Sequence, residues 1–188
     1  MSWPEFPRPI RLLAALALAG LVAGCFQPMY GDRSLLGGNS ANAGLSNKLA
    51  SVEIEQIDAP QGTRLARLGV SVRDELIFAV TGGNAPAATN YRLKVRMSST
   101  SLQVIVDINT ARPDIQNYGI DANYTLTDVT TGRVVVTGTT FSRVSYNIPG
   151  QQQRFAGDRG LRDAENRAAS VIVENIRNRL ASYFVAGT

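Results

Sequence analysis

The stretch from Asn90 to Tyr146 constrains the fold more than any other, because apolar and polar residues alternate along most of it. A period of two indicates strands that bury one face against a core. We predict three such strands, over Asn90–Ile108, Ile120–Leu126 and Arg133–Tyr146. The segment Asp128–Gly132, with the sequence Asp-Val-Thr-Thr-Gly, predicts a hairpin turn between the last two strands. The three strands therefore follow one another as a meander.

The first of these strands carries a change of parity in its apolar residues. These residues occupy odd positions before Ser98 and even positions after Ser101. A strand cannot change its buried face without an extra residue, so we expect a bulge, twist or break across Ser98–Ser101. The segment Asn109–Gln116, which contains Pro113, predicts a connection to the next strand. The odd set is Tyr91, Leu93, Val95 and Met97, and the even set is Leu102, Val104, Val106 and Ile108.

Two segments show the three- and four-residue spacing of amphipathic helices. The first runs from Arg64 to Thr81, with Thr63 as its N-cap and Gly82-Gly83 at its end. The second follows a polar loop over Asn147–Gly157 and runs from about Asp158 to Phe184. At about 1.5 Å per residue it is roughly 40 Å long, enough to cover a small sheet. Its apolar stripe consists of Leu161, Ala164, Ala168, Ile172, Ile176, Leu180 and Phe184.

A short strand is predicted over Ser51–Ile57, where apolar residues alternate with Glu53 and Glu55. The order of elements is therefore strand, helix, three strands, helix. A strand–helix–strand crossover followed by a meander gives a mixed sheet of about four strands with both helices packed on one face. We predict an α+β two-layer sandwich that forms a single domain over residues 50–188, with no internal repeat.

The N-terminal segment has the pattern of a secretory signal peptide over residues 1–24. Arg8 and Arg11 precede an apolar run, Leu12–Val22, which falls well short of the roughly 20 residues that a membrane-spanning helix needs. The sequence Val-Ala-Gly-Cys that ends at Cys25 resembles the bacterial lipobox. That resemblance implies cleavage before Cys25, a diacylglyceryl group on its sulfur and acylation of the new amine. A chance cysteine after an ordinary signal peptide is the alternative.

Residues 25–49 are predicted to form a lipidated tether, because Gly, Asn and Ser are frequent there and no periodicity is sustained. Several acyl chains on Cys25 would anchor the chain to a membrane. In enterobacteria, an Asp directly after the lipidated cysteine retains a lipoprotein in the inner membrane. Phe26 stands at that position here, which implies transfer to the periplasmic face of the outer membrane.

The composition excludes several classes of chemistry, since histidine is absent and Cys25 is the single cysteine. Serine–histidine and cysteine–histidine nucleophiles, histidine zinc sites and disulfides are all ruled out. Phosphate-binding glycine loops, metal-ligand spacings and nucleophile elbows are missing from the sequence as well. We therefore expect neither an enzyme nor a bound metal or other cofactor. Because an exported lipoprotein does not meet nucleic acid, the net charge of +4 favours an anionic glycolipid surface as partner.

Arg92, Lys94 and Arg96, here named the basic row, alternate with apolar residues and therefore line the exposed face of one strand. Cations about 6.6 Å apart repel one another unless an anion lies nearby. Three interpretations stay open. The basic row contacts the phosphates of a lipid head group, or pairs with Glu53 and Glu55, or protects a sheet edge against aggregation.

Several segments together resemble one family, the lipopolysaccharide-assembly lipoproteins of the LptE type in their alphaproteobacterial form. These segments are Cys25–Gly31, Ala122–Asp128 with Thr131-Gly132, Ser145–Asn147 and Arg162–Ala169. The resemblance implies a plug inside the large lipopolysaccharide-assembly β-barrel of the outer membrane, which helps to assemble the barrel and to deliver lipopolysaccharide to the outer leaflet. With this interpretation we expect the basic row to contact lipopolysaccharide directly.

Two other functions compete with this interpretation. The chain could instead be the lipoprotein subunit of an ABC-type phospholipid transporter, in which case it would fractionate with the inner membrane beside an ATPase and a permease. An envelope enzyme would need a polar cleft with clustered carboxylates, which the sequence does not indicate.

Overall fold

A four-stranded mixed sheet forms one layer of the protein, and two long helices form the other. The computed structural model describes residues 41–83, 88–107, 112–148 and 154–186, except the side chains of 41–43, 104–107, 112–114 and 154. The predicted signal peptide, Cys25 and most of the predicted tether lie outside these residues. The elements are α1 (Ala41–Ala50), β1 (Val52–Ile54), α2 (Arg64–Thr81), β2 (Tyr91–Asp107), β3 (Arg112–Asp128), β4 (Val134–Asn147) and α3 (Arg154–Ala186).

The strands lie in the order β1-β2-β3-β4, so that each strand neighbours the next along the chain. β1 is parallel to β2, with Val52 opposite Tyr91 and Ile54 opposite Leu93, and α2 makes the crossover between them. The pairs β2–β3 and β3–β4 are antiparallel. The predicted α+β two-layer fold, with a mixed sheet of four strands and a crossover followed by a meander, is confirmed.

Local capping fixes both ends of α2. The backbone N–H of Ala66 donates to Thr63 Oγ1 over 3.2 Å, which satisfies one of the free donors in the first turn. At the other end Gly82 takes a left-handed conformation (φ 63°), and its N–H donates to the carbonyl of Phe78 over 2.9 Å. The predicted bounds of α2, from Arg64 to Thr81, are confirmed.

The core lies between the sheet and the two long helices. From α3 it receives the predicted apolar stripe. Leu161, the first member of the stripe, is half-buried, and its six other members are buried. From β3 it receives the four predicted inward residues. Burying a side chain of leucine size contributes about 1.5–3 kcal/mol, so this face supplies most of the stability. The four residues of β3 are Ile120, Ala122, Tyr124 and Leu126.

The helix α1 was not predicted, because it lies mostly within the segment interpreted as a tether. Its sequence is only weakly amphipathic, and Leu45 and Leu49, one turn apart, supply its buried side chains. Lys48 Nζ donates to the carbonyl of Phe184 at the far end of α3, over 3.5 Å. Packing of two leucines, rather than local propensity, therefore accounts for this helix.

The ladder between β2 and β3 corrects two predictions. It is regular from Tyr91 to Gln103, and its register shifts lie between Gln103 and Val106, so the irregularity predicted at Ser98–Ser101 lies further along the strand. No shift is needed at the serines because residues 98–103 are exposed on both faces. The predicted connection over Asn109–Gln116 is also wrong in part, since β3 begins at Arg112 and includes Pro113.

Further element bounds differ from the prediction by a few residues. β1 covers Val52–Ile54 rather than Ser51–Ile57, and α3 begins at Arg154 instead of Asp158. Within β4, Val136 and Tyr146 are buried as predicted, whereas Val134 is exposed near the turn. Among the residues that the structure describes, no helix combines the length and the apolar character that crossing a membrane requires.

Candidate functional site

The basic row lies on the sheet face that points away from the helices. Leu93 and Val95, which alternate with it, are buried on the opposite face, while Arg92, Lys94 and Arg96 are all exposed. The strand therefore sorts its cations to one face by its pleat alone, as the alternation predicts.

Parallel pairing brings two carboxylates beside this row, with Glu53 directly opposite Arg92. Arg92 Nε lies 3.4 Å from Glu53 Oε2 and 3.8 Å from Glu55 Oε1, and Lys94 Nζ lies 3.9 Å from Glu55 Oε2. One of the three interpretations, ion pairing with β1, thus applies to Arg92 and Lys94. The side chains of each pair are between one-third and one-half exposed, which limits the contribution of each pair to about 0–1 kcal/mol.

Part of the basic row also lies on a sheet edge. β1 ends at Ile54, and the N–H of Glu55 makes the last bond to β2, donating to the carbonyl of Leu93 over 3.0 Å. Among the described strands, β2 has no neighbour on that side from Lys94 onward. Lys94 and Arg96 are therefore positioned as edge-protecting cations as well.

A groove of about 390 Å³ runs between the basic row and β3. Its β3 wall consists of hydroxyl and amide side chains that lie opposite the three cations in register, with Arg96 paired to Asn123. Arg96 has no ion pair with any described residue. The groove is therefore suited to a polar, anionic group. Besides the basic row its lining is Glu55, Asn123, Thr125, Thr127, Asp128, Val129 and Gly132.

Sequence reasoning missed the β3 wall of this groove. The signal was present, because the residues of β3 that alternate with its buried face are Asn123, Thr125 and Thr127. What the sequence left open was which strand pairs with which in register, and that pairing alone places these side chains opposite the basic row.

The same open face continues onto β4 as cross-strand pairs of polar side chains. Thr139 Oγ1 donates to Asn123 Oδ1 over 2.8 Å, and Ser145 Oγ donates to Asn117 Oδ1 over 2.6 Å. Between them, Arg143 Nη2 donates to both carboxylate oxygens of Asp121, over 2.7 and 3.0 Å. We call this surface, from the basic row across β3 to β4, the open face. Apart from the exposed ring of Phe141, whose centroid lies 5.6 Å from Arg143 Cζ, it is a polar surface whose side chains are already ordered by one another.

Burial acts on three tyrosines whose rings lie on the covered side of the sheet. Desolvation is the largest influence and raises the pKa of Tyr118, Tyr124 and Tyr146 above the usual value. The hydroxyls therefore stay protonated at neutral pH, and Tyr146 Oη donates to Gln116 Oε1 over 2.6 Å. These groups are structural donors and carry no charge that could serve the open face.

Comparison with known proteins gives a family-level match. The profile of the LptE family, described as lipopolysaccharide-assembly, matches residues 49–180. None of the curated protein sequences matches the chain significantly. Within the described part of the chain, no group of three or more acidic or cysteine side chains is placed to hold a metal ion.

Two solved structures are similar to this chain, and the first of them shares its fold. A candidate lipoprotein from Caulobacter crescentus CB15 superimposes with a TM-score of 0.58 at 21% identity, over 78% of this chain and 98% of that one. Uncharacterized lipoprotein B from Nitrosomonas europaea gives a TM-score of 0.49 at 13% identity, over 73% and 90% of the two chains. At such identities the first similarity concerns the fold alone.

Proposed function

Because the chain belongs to the LptE family of lipopolysaccharide assembly, we propose that it is an outer-membrane lipoprotein that plugs the lipopolysaccharide-transport β-barrel. In that role it helps to assemble the barrel and assists the delivery of lipopolysaccharide to the outer leaflet. The observation that carries the proposal is the open face, which no described element covers.

The chemistry of the open face suits the lumen of a barrel. A lumen is lined by polar side chains and water, so a plug needs a surface of hydrogen-bonding groups rather than an apolar patch. Asn123, Thr139 and Asp121 offer such groups, and their cross-strand bonds hold them in place before a partner arrives. The family match and this surface support the same assignment from independent observations.

Within this function, the basic row is the proposed contact for lipopolysaccharide phosphates. Arg92 and Lys94 are held by carboxylates that solvent reaches in part, and such pairs are weak enough to exchange for a doubly charged phosphate. Arg96, with no ion pair among the described residues, would be the first of the three to bind. The hydroxyls of the β3 wall would then donate to the remaining phosphate oxygens.

The proposed anchor is the lipid on Cys25, which holds the protein at the periplasmic face of the outer membrane. No catalytic step is assigned, consistent with a family whose members assemble lipopolysaccharide rather than transform it. No described cluster of metal-ligating side chains suggests another role.

The test is a pull-down of tagged full-length protein from detergent-solubilised outer membranes, with the bound proteins identified by mass. We expect one large β-barrel protein. The Cys25→Ala variant is the matched control, and it should be lost from the outer-membrane fraction. Recovery of an ATPase and a permease from the inner membrane would overturn the proposal and favour the phospholipid-transporter subunit.

A further inference from the structure

A second cavity lies in the helix layer, at the N-terminal ends of α2 and α3, and shares no residue with the groove beside the basic row. Its volume is about 220 Å³, several times the space that one water molecule takes in the liquid. All of its lining residues come from the two helices, which makes it a cleft between them. They are Arg64, Arg67, Asp158, Leu161, Arg162 and Glu165.

Glu165 is the central residue of this cavity. Its side chain is 1% exposed, and Oε2 makes an ion pair with Arg67, which is half-exposed. The other oxygen, Oε1, is buried and has no hydrogen-bond partner among the described residues. A buried carboxylate oxygen without a donor is unfavourable, so the site calls for a group that can donate a hydrogen bond.

Two arginines give the rest of the cavity a positive potential. Arg64 is the first residue of α2 and Arg162 lies in the early part of α3, and neither has a hydrogen bond or ion pair with any described residue. Arg64, at the N-terminus of α2, is opposed by the dipole of that helix, which itself favours an anion there. Since Arg67 already pairs with Glu165, Asp158 is the remaining carboxylate that partly offsets the two charges.

The cavity calls for a hydrogen-bond donor at Glu165 Oε1 and for an anion beside Arg64 and Arg162. From these two requirements we propose that the cavity binds a phosphate group that carries a proton. The negative oxygens would lie against Arg64 and Arg162, and the phosphate O–H would donate to Glu165 Oε1. Hydrogen phosphate keeps an O–H at neutral pH and satisfies both requirements, whereas sulfate has no proton and would leave Oε1 without a donor. The site therefore predicts selection of phosphate over sulfate.

The test is a calorimetric titration of the full-length protein in detergent at pH 7, with sodium phosphate and sodium sulfate at matched ionic strength. We expect phosphate to bind at least about tenfold more tightly than sulfate.

The variant R64Q/R162Q changes two exposed residues, so it should fold normally and weaken phosphate binding at least about tenfold. The control R133Q/R179Q, which removes two exposed arginines that line neither cavity, should leave phosphate binding unchanged. E165Q should remove the preference over sulfate.

Equal affinity for the two anions, or phosphate binding that R64Q/R162Q does not alter, would overturn the proposal and leave a cavity filled by water.

A second experiment identifies the source of the phosphate. It compares how well the protein retains lipopolysaccharide and the enzymatically dephosphorylated form of lipopolysaccharide. If the source is a glycolipid, R64Q/R162Q lowers retention of the intact form alone. If it is free phosphate, retention is unchanged while the titration with phosphate is lost. Recovery of a barrel in the pull-down does not depend on this cavity, so the two proposals fail separately.

Discussion

The two faces of the sheet are built from the same strands and have opposite roles. On the covered face, Leu93, Ile120 and Leu126 are fully buried against the helices. On the open face, their sequence neighbours Arg92, Asp121 and Thr125 are polar. The difference teaches that the residues that stabilise the fold and those of the proposed recognition surface are separated by one position along each strand, so a substitution can address either set alone.

The largest expected effect comes from the covered face. Leu126→Ala removes a fully buried side chain and leaves a cavity, so we expect the free energy of unfolding to fall by about 2–5 kcal/mol. Urea denaturation followed by circular dichroism measures it. The matched control is Thr125→Ala on the open face, which should change stability by less than about 0.5 kcal/mol. Equal losses for the two variants would contradict the separation of the faces.

A second substitution tests how closely the covered face is packed. A Cβ at Gly138 would lie 2.5 Å from Tyr124 Cζ, so Gly138→Ala forces the tyrosine ring to move. We expect a loss of about 1–3 kcal/mol in the free energy of unfolding. The double variant with Tyr124→Ala removes the clash, so the two losses should not add. Additive losses would show that the ring does not limit this position.

The third prediction concerns recognition. Charge reversal by Lys94→Glu with Arg96→Glu should weaken retention of lipopolysaccharide by about tenfold, because it replaces two of the proposed phosphate contacts with carboxylates. Retention on a column that carries lipopolysaccharide measures the effect. The control Arg159→Glu with Arg179→Glu changes net charge equally at exposed positions of α3. If both variants lose retention alike, net charge rather than the basic row governs the contact.

The smallest expected effect belongs to the ion pairs themselves. Glu53→Gln removes the carboxylate nearest to Arg92, yet both side chains are 49% exposed. We expect a change in unfolding free energy of less than about 1 kcal/mol, which becomes smaller at high salt. Thermal denaturation at two salt concentrations tests this. A larger loss that persists at high salt would mean that β1 depends on the pair for its docking.

Sequence reasoning was most accurate where structure is decided locally. The bounds of α2 follow from Thr63 and Gly82, which act on the helix ends that they touch. The inward residues of β3 follow from simple alternation. By contrast, α1 depends on what Leu45 and Leu49 pack against, and such contacts are not encoded in a ten-residue pattern.

The two candidate sites show the same contrast between features that a local sequence pattern predicts and features that depend on long-range packing. The alternation of Arg92, Lys94 and Arg96 located a cationic surface, and ion pairing with Glu53 and Glu55 was one of the open alternatives. The ion pair between Arg67 and Glu165 joins residues 98 positions apart on two helices. No spacing within either helix could have indicated it, because it depends on how the helices lie against each other.

The unpaired side of β2 has a dynamic consequence. From Lys94 onward no described strand bonds to its outer edge, and residues 98–103 are exposed on both faces. With few apolar contacts to hold it, this half of the strand should fray first, and its amide protons should exchange with solvent earlier than those of β3. We therefore expect the outer half of β2 to be more mobile than the central strand β3. This mobile part begins at Lys94, where the basic row reaches the unpaired edge of the sheet.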